Sequence, residues 1–296
     1  MSRKVKNQFT SRVPWRDGKE KVTAPITLTI AGFDPSGGAG IIADLKTFTA
    51  FGCIPTAAIT SLTLQNARGI HGTRHQTAET VREQVMAIMA ESPIAAAKTG
   101  MLPTSEIVRE VARLFREEEL PAPVVDPVLR STSGYELMEA DAIEVLLAEL
   151  MPLARVITPN IPEAEALTGL GIKSEDGMRA AASRLREMGA RAVLIKGGHL
   201  YRTAGGSQRV NREAIDVLDN EGRVSVFRGE WIDSPPVRGT GCMLSAAIAA
   251  CLGLGMDLQG SASAAKQFVA DAIRYAPRFG PEPVTLELAE MTRFEK

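Results

Sequence analysis

Short apolar runs alternate with stretches of helical period along this chain, and that alternation is what most narrows the folds open to it. Residues 26–31 are apolar and β-branched, the pattern of a strand buried on both faces. Further strands are predicted over 54–59, 94–98, 123–126, 156–158 and 192–196, with a hairpin over 214–219 and 223–228 turned by Asn220-Glu221-Gly222. Helices are predicted over 40–51, 78–90, 104–118, 139–150, 161–168, 174–188, 241–252 and 257–275, with Thr77 as a cap. Strands that alternate with helices predict α/β architecture: a three-layer α/β/α sandwich around a mostly parallel sheet. In such a sheet ligands bind where the carboxyl ends of the strands meet the following loops.

Composition removes several function classes. With 34 basic and 35 acidic side chains the formal net charge is −1, so no strong field attracts nucleic acid or anionic lipid. No apolar stretch reaches the roughly 18 residues of a membrane span. Cys53, Cys242 and Cys251 form no CxxC pair, which disfavours a disulfide scaffold or zinc knuckle and fits a reducing cytoplasm. Residues 1–25 carry seven basic side chains against two acidic ones and no secretory apolar region. They read as an extension, either draped or closing over a partner or an anionic substrate. Residues 26–296 are expected to form one domain, with Gly205-Gly206-Ser207 as an internal loop.

Four short motifs fall at strand ends. Residues 32–44, from Gly32-Phe33-Asp34 through Gly38-Ala39-Gly40 to Asp44, contain the glycine spacing of a dinucleotide site. That site also needs an acid about 20 residues on to hold the ribose, and residues 45–78 contain no Asp or Glu. The better reading is a substrate loop, with Asp34 and Asp44 offering carboxylates, the alternative being a tight glycine turn. The second motif, Arg238-Gly239-Thr240-Gly241-Cys242, opens a small-residue helix. Free amides at a helix N-terminus bind phosphate-like anions, and the same field is expected to lower the Cys242 thiol pKa. A packed helix start with a buried cysteine is the alternative. Third, Asn160 and Glu163 stand three apart at a helix start, which suits either hydrated Mg²⁺ or plain capping. Fourth, Lys196-Gly197-Gly198-His199 places a lysine where it either reaches a nucleotide phosphate or caps a sheet end. His71, His75 and His199 share no metal-ligand spacing, and there is no GxSxG elbow.

Together these stretches resemble the hydroxymethylpyrimidine/phosphomethylpyrimidine kinases of thiamin synthesis, within the ribokinase-like superfamily. The resemblance covers residues 26–275. It rests on the motifs above together with Leu64-Gln65-Asn66, Lys98-Thr99-Gly100-Met101-Leu102 and Asp126-Pro127-Val128. It implies a ribokinase-like fold, ATP and Mg²⁺, a small-molecule acceptor, and a homodimer. By resemblance Cys242 is the catalytic base, and the amides of Gly239, Thr240 and Gly241 form the anion hole. Gln65 holds the pyrimidine, in a pocket lined by Asp44 and Met101 together with Gly32 and Asp34. Asn160 and Glu163 associate with magnesium, and Lys196, Asn160 and Arg238 lie on the nucleotide side.

The chain departs from the family pattern in places. Arg238 replaces a histidine, Ser234-Pro235-Pro236-Val237 replaces a Lys-Asn-Thr stretch, Thr132 replaces a lysine, and the basic arm is extra. Arg238 is expected to supply a two-pronged phosphate grip in the lysine's place. The rival readings are a pyridoxal or pyridoxine kinase and a non-catalytic pyrimidine-binding protein.

Overall fold

In the computed structural model of the chain, residues 24–66, 68–131, 133–198, 213–234, 237–275 and 284–285 are described. Residues 1–23 of the basic arm, Thr132, His199, Gly205-Gly206-Ser207 and Pro235-Pro236 lie outside them. The first part of the chain supplies β1 (Ile26–Phe33), α1 (Gly40–Ala50), β2 (Ile54–Asn66), β3 (Gly69–His75), α2 (Ala78–Met89), β4 (Ala96–Thr99), α3 (Ser105–Glu117) and β5 (Val124–Val125). Then follow α4 (Ala140–Val145), β6 (Val156–Ile157), α5 (Ile161–Thr168), α6 (Glu175–Glu187), β7 (Ala192–Lys196), β8 (Glu213–Asn220) and β9 (Arg223–Glu230). The last elements are β10 (Val237–Arg238), α7 (Thr240–Gly253), α8 (Leu258–Arg274) and β11 (Val284–Thr285).

Nine strands make one sheet in the order β3-β2-β1-β4-β5-β6-β7-β8-β9, while β10 pairs with β11 apart from it. From β2 to β7 all neighbours are parallel, and antiparallel hairpins close both edges. The strand side chains alternate between two cores. Val125, Ile157, Val193 and Ile195 join α2, α3, α4, α5 and α6 on one face. Val124, Val156, Ala192 and Leu194 join Phe48 of α1, Ile248 of α7 and Ala262 of α8 on the other. This period of two makes the three-layer α/β/α sandwich, as the sequence pattern predicts. Helix α7 is apolar and small all round, and residues 243–251 are buried, so it lies between the sheet and α8.

The long amphipathic helices and the β8–β9 hairpin fall within a residue or two of their predicted places. Thr77 caps α2 as expected, and Thr104, Ser174 and Asp257 cap α3, α6 and α8 in the same way. The differences lie at one edge, in the middle, and in the β10–β11 pair, which has no predicted counterpart. Strand β2 runs to Asn66 rather than stopping at Ile59, and β3 has no counterpart among the predicted strands. Residues 61–66 put leucines outward and Thr63 inward, so hydrophobic alternation points the wrong way, and β3 is polar with two glycines. The helix expected over 139–150 is α-helical only to Val145 and then widens into a π turn (Leu146–Leu150). Among the described residues no helix is long and apolar enough to cross a membrane.

Two register shifts interrupt the pairing of β2 with its neighbours. The first leaves Thr60 extra opposite β1, and its hydroxyl donates to the Met101 carbonyl at 2.7 Å. The second falls between Leu64 and Gln65, where β2 meets β3.

Candidate active site

Two glycine turns meet above the carboxyl ends of the parallel strands. In the first, a Cβ on Gly40 would lie 2.3 Å from the Gly32 carbonyl oxygen. In the second, Gly239 has φ +78 and a Cβ there would lie 2.1 Å from the Gly38 carbonyl oxygen. Both positions need glycine: at Gly40 the loop after β1 folds back on its own backbone, and at Gly239 the turn into α7 touches that loop backbone to backbone. Helix α7 begins on that turn with no side-chain cap. Its first amides, at Thr240, Gly241 and Cys242, therefore have the character of an anion site.

Beneath the turns runs a row of buried charges, one from each strand end or the helix beside it. Asp44 on α1 accepts from Thr29 at 2.7 Å and from Lys98 of β4 at 2.7 Å, and both members of the ion pair are fully buried. Burial raises the Asp44 pKa despite the pull of Lys98. Burial acts to lower the Lys98 pKa, but Asp44, with a smaller part from Cys242, raises it above its ordinary value. Asp44 Oδ1 is buried with no hydrogen-bond partner. It is the one carboxylate oxygen of the pair left to receive a donor.

The next group is Asp126, just past β5. It accepts from Lys196 at 2.8 Å, from Thr158 at 3.3 Å and from Ser245 of α7 at 3.2 Å. Burial acts to raise its pKa, yet Lys196 and Lys98 together hold it below the usual carboxylate range. Lys196 Nζ also lies 4.0 Å from Glu163 and 3.3 Å from where a Gly241 Cβ would sit, so its charge stands beside the α7 turn. Glu163 is pushed up to about 7 by burial, with Lys196 opposing and Asp126 adding.

Asn160 and Glu163 form a reciprocal capping box. Asn160 Oδ1 accepts from the Glu163 amide at 2.9 Å, and the Glu163 carboxylate accepts from the Asn160 amide at 2.8 Å. The capping alternative is thus realised. Among the described residues no three His, Cys, Asp or Glu side chains gather to hold a metal. An all-protein metal cage is absent from them, but the oxygen donors of Glu163 and Asn160 fit the one or two protein ligands that Mg²⁺ takes with water and phosphate.

Cys242 corrects an expectation. It is half-buried, and its thiol is pushed up to about 11 rather than down. Burial is the main cause and the charges of Asp44 and Asp126 add to it, while Lys98 and the Gly40 amide oppose. Desolvation here outweighs the helix N-terminus. Cys53 and Cys251 are buried and free, so no disulfide forms.

The residues expected around the acceptor come from the ends of β1 and β2 and the loops that follow β1 and β4. Met101 is buried, and its Sδ lies 2.8 Å from where a Gly32 Cβ would sit, so the two residues are packed together. Gln65 is half-buried, on the same face of β2 as Thr63. Thr63 Oγ1 lies 2.9 Å from Gln65 Oε1 and 3.0 Å from the Phe33 carbonyl, and it donates to one at a time. Asp34 is buried, but its oxygens take donors from the protein: Ser36 on one and Arg238 on the other. Arg238 is likewise buried and held by protein acceptors, not spread on the surface. His71 bonds to Asn66 and His75 to Ser61.

Sequence reasoning brought most of these residues to one place but assigned no role to Lys98, Asp126, Thr158 or Ser245. The signal for the first two was a charge ending an apolar run, at Ala96-Ala97-Lys98 and Val124-Val125-Asp126.

A family model described as phosphomethylpyrimidine kinase matches residues 34–286. The chain is 40% identical over 252 residues to the hydroxymethylpyrimidine/phosphomethylpyrimidine kinase of Streptomyces coelicolor, covering 85% of this chain and 90% of that one. It is also 40% identical over 272 residues to the thiamine biosynthesis bifunctional protein ThiED of Geobacter sulfurreducens, covering 92% of this chain but only 52% of that longer protein. Among solved structures, the ADP complex of Bacillus subtilis pyridoxal kinase superposes with a TM-score of 0.78 at 34% identity, over 91% of this chain and 100% of that one.

Two outcomes follow from the buried charges. Lys98→Met leaves Asp44 buried and unpaired, so urea denaturation should show a loss of about 3–5 kcal/mol. Adding Asp44→Asn should recover most of it; an equal loss in the double variant would mean the pair is not coupled. Glu163 is an acid whose folded pKa is raised, so its contribution is present below about 4.5 and is lost as pH rises through about 7. The melting temperature of Glu163→Gln minus that of the wild type should therefore grow between pH 4 and pH 8. A flat difference would place Glu163 in an ordinary carboxylate environment.

Proposed function

The chain belongs to the phosphomethylpyrimidine kinase family, and on that premise we propose that it phosphorylates 4-amino-5-hydroxymethyl-2-methylpyrimidine, its monophosphate, or both, in thiamin biosynthesis. The chain is a phosphotransferase, with ATP as donor. The observation that carries this reading is the uncapped start of α7, set against the first glycine loop and beside Lys196.

In-line transfer needs little covalent chemistry from a protein, so catalysis is positioning and charge stabilisation. The amides of Thr240, Gly241 and Cys242 suit the equatorial oxygens of the moving phosphoryl group. Lys196, and Asn160 and Glu163 across from it, belong on the nucleotide side. Bound magnesium would neutralise phosphate charge; Glu163, and the Asn160 side chain beside it, are the groups to hold it. The acceptor ring lies against Met101, Gly32 and Asp44, with Gln65 reading its ring nitrogen and amine. The hydroxymethyl oxygen gives its proton to Cys242. With its pKa near 11 the thiol is protonated at neutral pH, so only a small thiolate fraction serves as base. The same reading includes a cytoplasmic homodimer. The outward Leu62 and Leu64 of β2 are exposed apolar surface that would support pairing.

The second reading, a pyridoxal kinase, is favoured by the likeness to the Bacillus subtilis structure. An ATP-turnover assay with pyrimidine and pyridoxine alcohols, with and without their phosphates, separates the readings. We expect the pyrimidines to win, and Gln65→Met to weaken them by about 1–3 kcal/mol more than pyridoxine. Pyridoxine preference would favour the second reading, equal losses would remove Gln65 from the recognition role, and binding without turnover would leave a non-catalytic protein. Cys242 is tested by pH. Since kcat/KM reports the free protein, it should rise about tenfold per unit between pH 7 and 9 and be flat in Cys242→Asp. Near-normal turnover in a folded Cys242→Ala would remove the base role.

A further inference from the structure

Arg238 lies where β10 runs into the glycine turn of α7. Its guanidinium reaches three protein acceptors at once. Nη2 donates to Asp34 Oδ2 at 2.9 Å, and Nη1 to Ser36 Oγ at 3.1 Å and to the Asn66 carbonyl at 3.0 Å. The ion pair is nearly dry, with side chains 10% and 3% exposed. Asp34 is pinned in turn, since its Oδ1 accepts from the Ser36 amide at 2.9 Å and the Ser36 hydroxyl at 2.7 Å. A buried ion pair adds little net stability, because desolvation offsets the attraction. What this one adds is registration. It ties together the loop after β1, the end of β2 and the strand that enters the anion turn.

Each tied segment carries part of the site. Gln65 is the neighbour of Asn66, and Gly239 is the neighbour of Arg238 and abuts the Gly38 carbonyl. We propose that Arg238 is a positioning residue, acting through Asp34, that holds the acceptor pocket in register with the anion turn rather than gripping a phosphate itself. The proposal rests on the kinase reading above. A guanidinium suits the task, since its planar fork bridges several fixed acceptors where an ammonium is a point charge.

The two roles give different kinetics. A misregistered turn slows transfer for every acceptor, whereas a lost phosphate grip slows only the phosphorylated one. We expect Arg238→Ala to lower kcat about 10–100-fold for the pyrimidine alcohol and its monophosphate alike. Affinity for a non-hydrolysable ATP analogue should stay within about twofold of wild type by calorimetry. Arg238→Lys should recover little. Arg238→Met with Asp34→Asn removes both charges, so it stays testable if the single variant unfolds, and it should be no worse than the worse single change. Hydrogen exchange gives a readout free of turnover: amides of residues 36–40, 64–66 and 239–242 should open together in the variant. Loss confined to the monophosphate, additive losses, unchanged rates, or exchange that rises at one segment alone would each overturn the proposal. Wild-type protein that turns over neither acceptor would sink the kinase reading instead, with the exchange result still deciding the registration.

Discussion

Lys98 is fully buried, and it stays charged there because Asp44 lies 2.7 Å away. That pair and its neighbour, Asp126 with Lys196 at 2.8 Å, set the electrostatics of the whole carboxyl edge of the sheet. Two lysines and two aspartates balance, which leaves Glu163 as the surplus acid. Its pKa near 7 is the physical result: burial disfavours its charge, and Lys196 is already engaged by Asp126. Above this balanced row stand the uncapped amides of α7 rather than a bare cationic surface.

Close backbone contact adds a geometric constraint to that electrostatic one. The turn into α7 and the loop after β1 touch backbone to backbone at Gly239 and Gly38. Arg238 and Asp34 close the same contact from the side. Phosphoryl transfer between two small molecules needs donor and acceptor held at a set distance, and backbone packing and one buried ion pair hold these two segments together here.

Much of this was legible in the chain itself. The period of two in the buried strands, the amphipathic pattern of α3 and α6, and the cap at Thr77 are local properties, and local propensity and tertiary packing agree there. The motif residues were legible because glycines and charges at strand ends are conspicuous against apolar runs. The β3 edge was not, since a polar strand with two glycines lacks any hydrophobic alternation and gains its pairing from β2.

By itself the sequence determined the layered α/β architecture and the set of residues gathered at the carboxyl edge, because strand period, turn chemistry and helix caps are read over a few neighbouring residues. Only the tertiary structure decided what those residues do to one another. It turned Asp34 and Arg238, 204 residues apart, into one ion pair. It also raised the Cys242 thiol when the helix terminus alone would have lowered it. Burial and partner distance set such energies, and both depend on which distant segments the fold brings together.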